Sequence, residues 1–359
     1  MSISKKVRCF IDDYLAMYES KEGYGIDTYN KFETQHAMAE AKYLECVSSL
    51  YRCSLISKDN VIKKIDLSLK RLENIAIQHF QGTYSWGLGF SYKEYTSFEP
   101  FLITSSLVLR ALQSIDRIGL GSNDIEVKAV KGLNLWMNHY TINMGPSHDD
   151  TIMPYYSPNL KEPIFNAAAY GLATLKNNSS IDFLFDLDKS LKWMYSQYIP
   201  NLGWAYDTKS NVIDLLHQGY LLNAFLDAYG GKKVEDIGVS ILSNFAGSYC
   251  FSDVLHLVLN EEQKAKSSNW IRKVGLYEIE VLSKPARLWS IGEVLVFVSR
   301  MTRDVSCTQR WKYLSNDLAM KCIKMLESEE LNEKEYPRHY MHAMHGLTEY
   351  LEMLRSSSK

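Results

Sequence analysis

The side chains best suited to acid–base chemistry lie on one predicted helix, which begins near Asn211. Asp214 and His217 are three residues apart and therefore share one helical face. A carboxylate at this spacing can hold an imidazole in one tautomer, as in an acid–base pair. The rest of the segment to Tyr229 is almost entirely apolar, which indicates a buried helix whose first turn meets a cavity. A helix-start carboxylate beside a hydrogen-bonded core histidine is the alternative interpretation.

A second polar stripe is predicted near the C-terminus, where side chains spaced four, three and four residues apart share a helical face. These are Arg338, His342, His345 and Glu349. The functional interpretation is a surface that binds a carboxylate through Arg338 and moves protons through the histidines. Core histidines that are hydrogen-bonded inside the protein are the alternative.

One carboxylate occurs in an otherwise apolar helix, residues 289–298. Glu293 must face a cavity or be paired there, because burial of a lone carboxylate is costly. We expect it to be catalytic, and with Asp207 it would supply the two carboxylates that hydrolysis requires. A metal site built from the histidines and Asp214 is a minor alternative, since no cysteine joins the set and no HExxH string occurs. We therefore predict neither a metal nor a cofactor.

The loops that precede the apolar helices are rich in tryptophan, tyrosine and charged residues. Flat rings can cover the C–H faces of pyranoses, while polar groups bind hydroxyls. From these loops and helix starts we predict the following substrate-binding residues: Trp86, Tyr92, Tyr155, Trp204, Tyr206, Arg287, Trp289, Arg338 and His345.

Helical periodicity dominates the chain, and convincing strand alternation is almost absent. Six small apolar helices recur, and the spacings between their central small residues are 65, 65, 48, 73 and 54 residues, the length of a helical hairpin. Those central residues are Ala41, Ser106, Gly171, Gly219, Gly292 and Gly346. Amphipathic helices alternate with them. We therefore predict an all-α fold, an (α/α)6 toroid with six inner helices and an outer ring, and an open helical solenoid as the alternative.

Composition excludes several classes of protein. The net charge of −2 without a basic block argues against nucleic-acid binding. No apolar run is long enough for a membrane span, and the N-terminus lacks the apolar core of a signal peptide. The six cysteines are scattered, as expected of reduced thiols in a cytoplasmic protein. We predict one domain, 1–359, with an N-terminal extension at 1–30 and a frayed tail at 355–359.

Three short motifs carry a resemblance to known proteins. They are Trp-Gly-x-x-Phe at 86–90, Trp-x-Tyr-Asp followed by Asp-x-x-His-x-Gly-Tyr at 204–220, and Leu-Trp-Ser-Ile-Gly-Glu at 288–293. Together they resemble α/α-toroid proteins encoded in bacterial surface-polysaccharide gene clusters. Those proteins are distantly similar to squalene-cyclase-like and prenyltransferase toroids and to the helical domain of glucuronyl C5-epimerases. The resemblance covers roughly residues 84–350, but the Asp-x-Asp-Asp motif of class II terpene cyclases does not occur.

The resemblance implies an enzyme of surface-polysaccharide synthesis that performs acid–base chemistry on a sugar or uronate-containing glycan, as an epimerase, lyase or glycosidase. Its partners would be that substrate and other polysaccharide-synthesis proteins. Epimerisation at C5 needs a base, an acid and a cation that stabilises the enolate. Tyr206 or Tyr92, Glu293 or His342, and Arg338 are the candidates for these roles.

Two other functions stay open. One is a non-catalytic glycan-binding or scaffold protein of a glycosyltransferase assembly, in which Trp86 and Trp204 would bind the glycan. The other is an enzyme for isoprenoid or lipid-linked substrates, with magnesium at Asp149 and Asp150.

A closed toroid gathers the N-terminal ends of its inner helices around one axis. We therefore expect seven residues to converge on one cavity there, where helix N-termini favour an anionic ligand. The seven are Trp204, Asp214, His217, Arg287, Glu293, Arg338 and His342.

Overall fold

Twelve helices follow one another along the part of the chain that the computed structural model describes. That part comprises residues 3–27, 29–91, 95–121, 123–144, 151–176, 185–245, 254–257, 270–274, 276–281, 286–304 and 309–356. In chain order the helices are α1 (Ile3–Ser20), α2 (Ala37–Arg52), α3 (Lys58–Asn74), α4 (Leu102–Asp116), α5 (Asn123–His139), α6 (Phe165–Lys176), α7 (Leu187–Ser196), α8 (Leu215–Tyr229), α9 (Gly231–Phe245), α10 (Leu288–Asp304), α11 (Gln309–Glu327) and α12 (Pro337–Ser356).

The even-numbered helices form a closed inner ring. Each packs against the next even-numbered helix, and α12 packs against α2, which closes the ring. The odd-numbered helices form an outer layer in which α3, α5, α7, α9 and α11 each cover the inner helix that precedes them, while α1 covers α12. The predicted (α/α)6 toroid is confirmed, and ring closure excludes the open solenoid.

The amino-acid pattern explains which helices lie inside. In α6 every residue from Phe165 to Leu175 is buried, as its continuous run of apolar and small side chains requires. In α3 the buried residues are Val61, Ile65, Ser68 and Leu72, which form one stripe at helical spacing. An outer helix therefore buries one face, whereas an inner helix is enclosed on all sides.

The first helix belongs to the outer layer. Residues 3–20, predicted as part of an N-terminal extension, form α1, and Val7, Ile11, Leu15 and Tyr18 are its buried stripe. At the other end, α12 continues to Ser356, beyond the start of the predicted tail. The assignment of the whole chain to one domain stays a prediction. No helix within the described ranges combines the length and the apolar character that a bilayer crossing demands.

Eight short strands in the described residues were not predicted. They are β1 (Tyr24–Asp27), β2 (Asn30–Gln35), β3 (Thr141–Asn143), β4 (Ile152–Pro154), β5 (Val212–Asp214), β6 (Val254–Leu257), β7 (Trp270–Val274) and β8 (Tyr277–Val281). They pair antiparallel as β1–β2, β3–β4 and β5–β6–β8–β7. All lie in connections from an outer helix to the next inner helix, so they decorate the N-terminal end of the inner ring. Strands this short give almost no alternating pattern in the sequence.

The helices α10 and α12 contact each other at two glycines, Gly292 and Gly346. A Cβ atom on Gly292 would lie 2.5 Å from the carbonyl carbon and oxygen of His342, and one on Gly346 would lie 2.5 Å from the Gly292 carbonyl oxygen. The two backbones are therefore in direct contact. Small central residues therefore allow these two inner helices to pack in backbone contact.

Gly292→Ala should destabilise the protein by roughly 1–3 kcal/mol, because a methyl group there collides with backbone that cannot move independently. Gly171→Ala is the matched control in α6, since its Cβ would meet the mobile ends of the Met137 and Leu102 side chains. Both variants gain similar helix propensity, so urea unfolding should show a clearly larger loss for Gly292→Ala. Equal losses would contradict the backbone contact.

Candidate functional site

A cavity of about 390 Å³ lies at the N-terminal end of the inner ring. The second residue of every inner helix lines it, so the six helices contribute equivalent positions. These residues are Met38, Ile103, Asn166, Leu216, Trp289 and Arg338. The closed toroid therefore builds one cavity from residues that are 300 positions apart in the chain (338 − 38).

The wall of this cavity is aromatic and polar at once. Its rings are Tyr29, Tyr95, Phe101, Tyr156, Tyr206, Tyr220 and Trp289. Its polar side chains, besides the tyrosines, are Glu162, Asn166, Asp207, His217, Arg287 and Arg338. Such a wall suits a ligand that has both flat apolar faces and many hydrogen-bonding groups.

Asp214 organises one side of the cavity. It is the N-cap of α8, and its Oδ1 accepts the backbone N–H of His217 at 3.1 Å. The same Oδ1 lies 3.2 Å from Nδ1 of His217, and Nη2 of Arg287 donates to Oδ2 at 2.6 Å. Burial raises the pKa of Asp214, but His217 and Arg287 outweigh burial and lower it to about 2. The carboxylate is therefore ionised at neutral pH and can stabilise a proton on the imidazole.

His217 is placed where it can exchange a proton with a ligand. It lines the cavity, and the ring of Tyr206 packs edge-on against it with centroids 4.7 Å apart. Because Nδ1 is the nitrogen beside Asp214, Nε2 is the nitrogen left for a substrate.

A tyrosine–histidine pair forms a second proton-carrying group. Nδ1 of His342 lies 2.6 Å from the Arg338 carbonyl oxygen, which can only accept, so Nδ1 carries the proton. Nε2 therefore accepts the O–H of Tyr220 at 2.6 Å. Burial, and then the nearby Lys42 cation, lower the pKa of His342 well below its ordinary value, and burial raises that of Tyr220. The pair holds a proton on Tyr220, at the cavity wall.

Two guanidinium groups reach the cavity against one indole. Arg338 lies 4.6 Å from the ring centroid of Trp289 and Arg287 lies 5.1 Å from it, both at cation–π distance. Nη2 of Arg338 also donates to Oδ1 of Asp27 at 2.9 Å. The ring of His339 stacks on Trp289 with centroids 4.4 Å apart, so the indole is fixed in place.

Of the seven residues expected to converge, five do so. His217, Arg287 and Arg338 line the cavity, while Asp214 and His342 bind residues that line it. The other predicted residues that line it are Tyr206, Asp207 and Trp289. Oδ1 of Asp207 accepts the N–H groups of Lys209 and Ser210 at 2.7 and 2.8 Å, so this carboxylate also closes a turn.

The other predicted site residues lie elsewhere. Trp86 and Trp204 are completely buried, and their indole N–H groups donate to the carbonyls of Leu72 and Met194 at 2.9 Å. They attach rim loops to outer helices and do not line the cavity. Tyr155 contributes backbone hydrogen bonds to Tyr140 and Trp136, and its neighbour Tyr156 lines the cavity instead.

Glu293 and His345 belong to a buried polar cluster below the cavity. Oε2 of Glu293 lies 3.0 Å from Nζ of Lys42, and Nδ1 of His345 lies 3.3 Å from the same Nζ. His345 also lines a cavity of about 240 Å³ at the opposite end of the inner ring. Tyr92, Asp149 and Asp150 lie outside the described residues. Among those described, no three His, Cys, Asp or Glu side chains are grouped as metal ligands would be.

Tyr220 and Lys42 were not among the predicted site residues. Tyr220 follows His217 by three residues, so helical spacing could have placed both on one face. Nothing in the sequence pairs Lys42 with Glu293, which is 251 residues further along (293 − 42).

Compared with the unmodified chain, Asp214→Asn should lower the free energy of unfolding more at neutral pH than at pH 3. The pKa of Asp214 falls from 3.8 to about 2 on folding, which contributes about 2 kcal/mol of stability. That contribution is complete above about pH 4 and is lost as the pH falls towards 2. Asparagine keeps the cap of α8. The difference in free energy of unfolding between the two proteins, measured with urea, should therefore become smaller as the pH falls. A difference that does not vary with pH would refute the charge pairing.

Comparison with known proteins identifies the fold. No family model matches the chain, and no curated protein matches it significantly. Solved structures do match. The TM-score is 0.61, at 11% identity, with a sugar epimerase from a ruminal bacterium, over 98% of both chains. It is 0.59, at 8% identity, with an α-1,6-mannanase of Salegentibacter in complex with α-1,6-mannotriose, over 98% of this chain and 100% of that one.

A third similar structure is that of an enzyme with a different kind of reaction. A type II terpene cyclase from Scytonema matches with a TM-score of 0.57 and 9% identity, over 98% of this chain and 99% of the cyclase. The chain therefore shares the α/α-toroid fold with proteins of unlike chemistry, as the resemblance in its motifs implied.

Proposed function

We propose that this protein is an enzyme that transfers protons on a carbohydrate, in an epimerisation or an elimination. One observation carries the proposal: two separate proton-carrying groups, His217 with Asp214 and Tyr220 with His342, meet the same cavity. Reactions that break a C–H bond beside a carbonyl or carboxylate need a base and an acid at the same substrate. A pair of such groups satisfies that need.

The roles follow from the groups beside each side chain. His217 would take the proton through Nε2, and ionised Asp214 would stabilise the imidazolium that forms. Tyr220 would turn its O–H from Nε2 of His342 to the intermediate, donate that proton and become a tyrosinate. Solvent would then take the proton held by His217 and return one to Tyr220, which restores both groups. Arg287 and Arg338 would stabilise negative charge on the substrate oxygen.

The wall of the cavity favours a carbohydrate over an isoprenoid. Seven aromatic rings could cover sugar faces, and the histidine, asparagine, carboxylates and guanidinium groups could bind hydroxyl or carboxylate groups. A terpene substrate would leave these polar groups without partners. The similarity to a sugar epimerase and a mannanase supports this choice, although the fold is also that of a terpene cyclase.

Hydrolysis by Asp207 and Glu293 is less well supported. Glu293 is completely buried and paired with Lys42, so it does not line the cavity with Asp207. The remaining cavity carboxylate, Glu162, is exposed and pairs with Lys209 at 3.0 Å. Glu162 is therefore in contact with solvent, unlike the desolvated carboxyl group that a glycosidase uses as general acid.

The cellular setting proposed for this activity is surface-polysaccharide synthesis in the cytoplasm, together with other proteins of that synthesis. A glycan-binding scaffold remains the second candidate, because an aromatic cavity can bind without turnover. Trp86 and Trp204 are core residues, so their substitution would change the stability of the protein and would not test glycan binding. Trp289 is the tryptophan whose loss would report binding.

His217→Asn should strongly slow proton exchange on the substrate. Purified protein would be incubated in D2O with reducing mono- and disaccharides and with uronate oligosaccharides, and NMR would follow deuterium entry at carbon. We expect a loss of roughly 10²–10⁴-fold, because general base catalysis contributes that much. His79→Asn is the matched control, since His79 does not line the cavity and its Nε2 contacts Tyr140.

The outcomes separate the candidates. Deuterium entry that survives His217→Asn would refute the proposed base. Cleavage without deuterium entry would indicate a glycosidase. Saccharide binding by calorimetry that requires Trp289, with neither exchange nor cleavage, would establish the scaffold function.

A further inference from the structure

A fully buried ion pair lies directly beneath the proton-carrying groups. Lys42 and Glu293 are each 0% exposed, and Nζ of Lys42 lies 3.0 Å from Oε2 of Glu293. Glu45 is the second carboxylate of this lysine, at 3.1 Å, and Nδ2 of Asn223 donates to Oε1 of Glu293 at 2.9 Å. The pair thus joins α2, α8 and α10 at the axis of the toroid.

Two consecutive residues of α10 contact the turns that carry Tyr220 and His342. The side chain of Glu293 packs on Gly219, where an added Cβ would lie 3.1 Å from its Cγ. Gly292 packs on the backbone of His342 itself. The position of residues 292–293 therefore sets how far α8 stands from α12, and the 2.6 Å hydrogen bond between Tyr220 and His342 spans that gap.

Stability alone does not explain such a pair. Removing two charges from water costs several kcal/mol per ion, and apolar residues of similar size often replace a buried ion pair without loss. A chain that needed only a packed core at this position could use them. The location of the pair, against the helix turns of the cavity, suggests a different reason.

We propose that Lys42 and Glu293 are positioning residues for the Tyr220–His342 pair. Glu293, held by Lys42 and Asn223, fixes the spacing between α8 and α12, and the Lys42 cation keeps His342 neutral so that the shared proton stays on Tyr220. The catalytic part of this inference rests on the proposed function. The effect on the protonation and tautomer of His342 does not depend on it.

The charges around the pair agree with this role. The titratable and charged groups that act on it are Lys42 from α2, Tyr170 from α6, Glu293 from α10, and Arg338 and His345 from α12. After burial, Lys42 is the strongest influence that lowers the pKa of His342. Lys42 is itself cationic, because Glu293 and Glu45 outweigh its burial and raise its pKa. Its charge therefore opposes an imidazolium at His342.

The double variant Lys42→Met/Glu293→Gln tests the proposal. It removes both charges together, so neither is left buried alone, and Glu45 keeps Arg110 and His345 as partners at 3.4 and 3.3 Å. Nitrogen NMR of labelled histidine would report the tautomer and protonation of His342 between about pH 5 and pH 8. In the unmodified chain the His342 ring should stay neutral throughout, with its proton on Nδ1. In the variant this ring should titrate or show a mixture of tautomers.

Kinetics on any saccharide that exchanges deuterium gives the second readout. We expect kcat to fall at least about tenfold while KM changes less than about threefold, because neither residue lines the cavity. The matched control is Arg71→Met/Glu40→Gln, which removes an ion pair between α3 and α2, 2.7 Å long, away from Tyr220. It should leave kcat and the His342 spectrum unchanged.

A folded double variant with an unchanged His342 spectrum would overturn the proposal, whatever its activity. Absence of turnover by the unmodified chain would refute the proposed function instead, and the NMR comparison would still decide the positioning role. If the double variant does not fold, Glu293→Gln alone, which leaves Lys42 paired with Glu45, should still weaken the link between α10 and α2 and perturb the His342 tautomer. An unperturbed ring there would also overturn the proposal.

Discussion

Closure of the inner ring is the constraint on which the rest of this structure depends. Each inner helix is too apolar to face water, so it must bury its surface against two neighbours, and only a closed ring supplies them for all six. Closure in turn places the second residue of each inner helix, from Met38 in α2 to Arg338 in α12, around one cavity. The candidate site residues are scattered in sequence and adjacent in space for the same reason that the core is buried.

The two ends of the ring carry charge for different purposes. At the C-terminal ends of the inner helices, five arginines and no lysine line a cavity of about 240 Å³. Arg52 and Arg303 pair with Glu349 and Glu352, while Arg110 pairs with Asp227. Those cations also oppose the negative ends of the helix dipoles. Charges matched in this way stabilise the fold, whereas the long, strand-bearing connections at the other end leave room for a ligand.

The sequence predicted the toroid because the apolar helices recur at hairpin spacing, which is a property of the pattern alone. It could not separate Trp86 and Trp204 from cavity residues, since a tryptophan in an aromatic loop has the same signature whether it binds a ligand or an outer helix. For Glu293 the sequence required either a cavity or a partner. The partner is Lys42, and only ring closure between α12 and α2 brings that lysine near.

Two histidines approach the cavity in opposite electrostatic surroundings. His217 lies beside the ionised carboxylate of Asp214, which stabilises the imidazolium formed when the ring accepts a proton. His342 lies near the Lys42 cation, which opposes an imidazolium and leaves Nε2 as an acceptor for Tyr220. The proposed mechanism needs a base and an acid in one site at the same pH, and opposite surroundings serve that need. The carboxylate that caps α8 lies beside the proposed base, and a buried ion pair between α2 and α10 lies beneath the proposed acid.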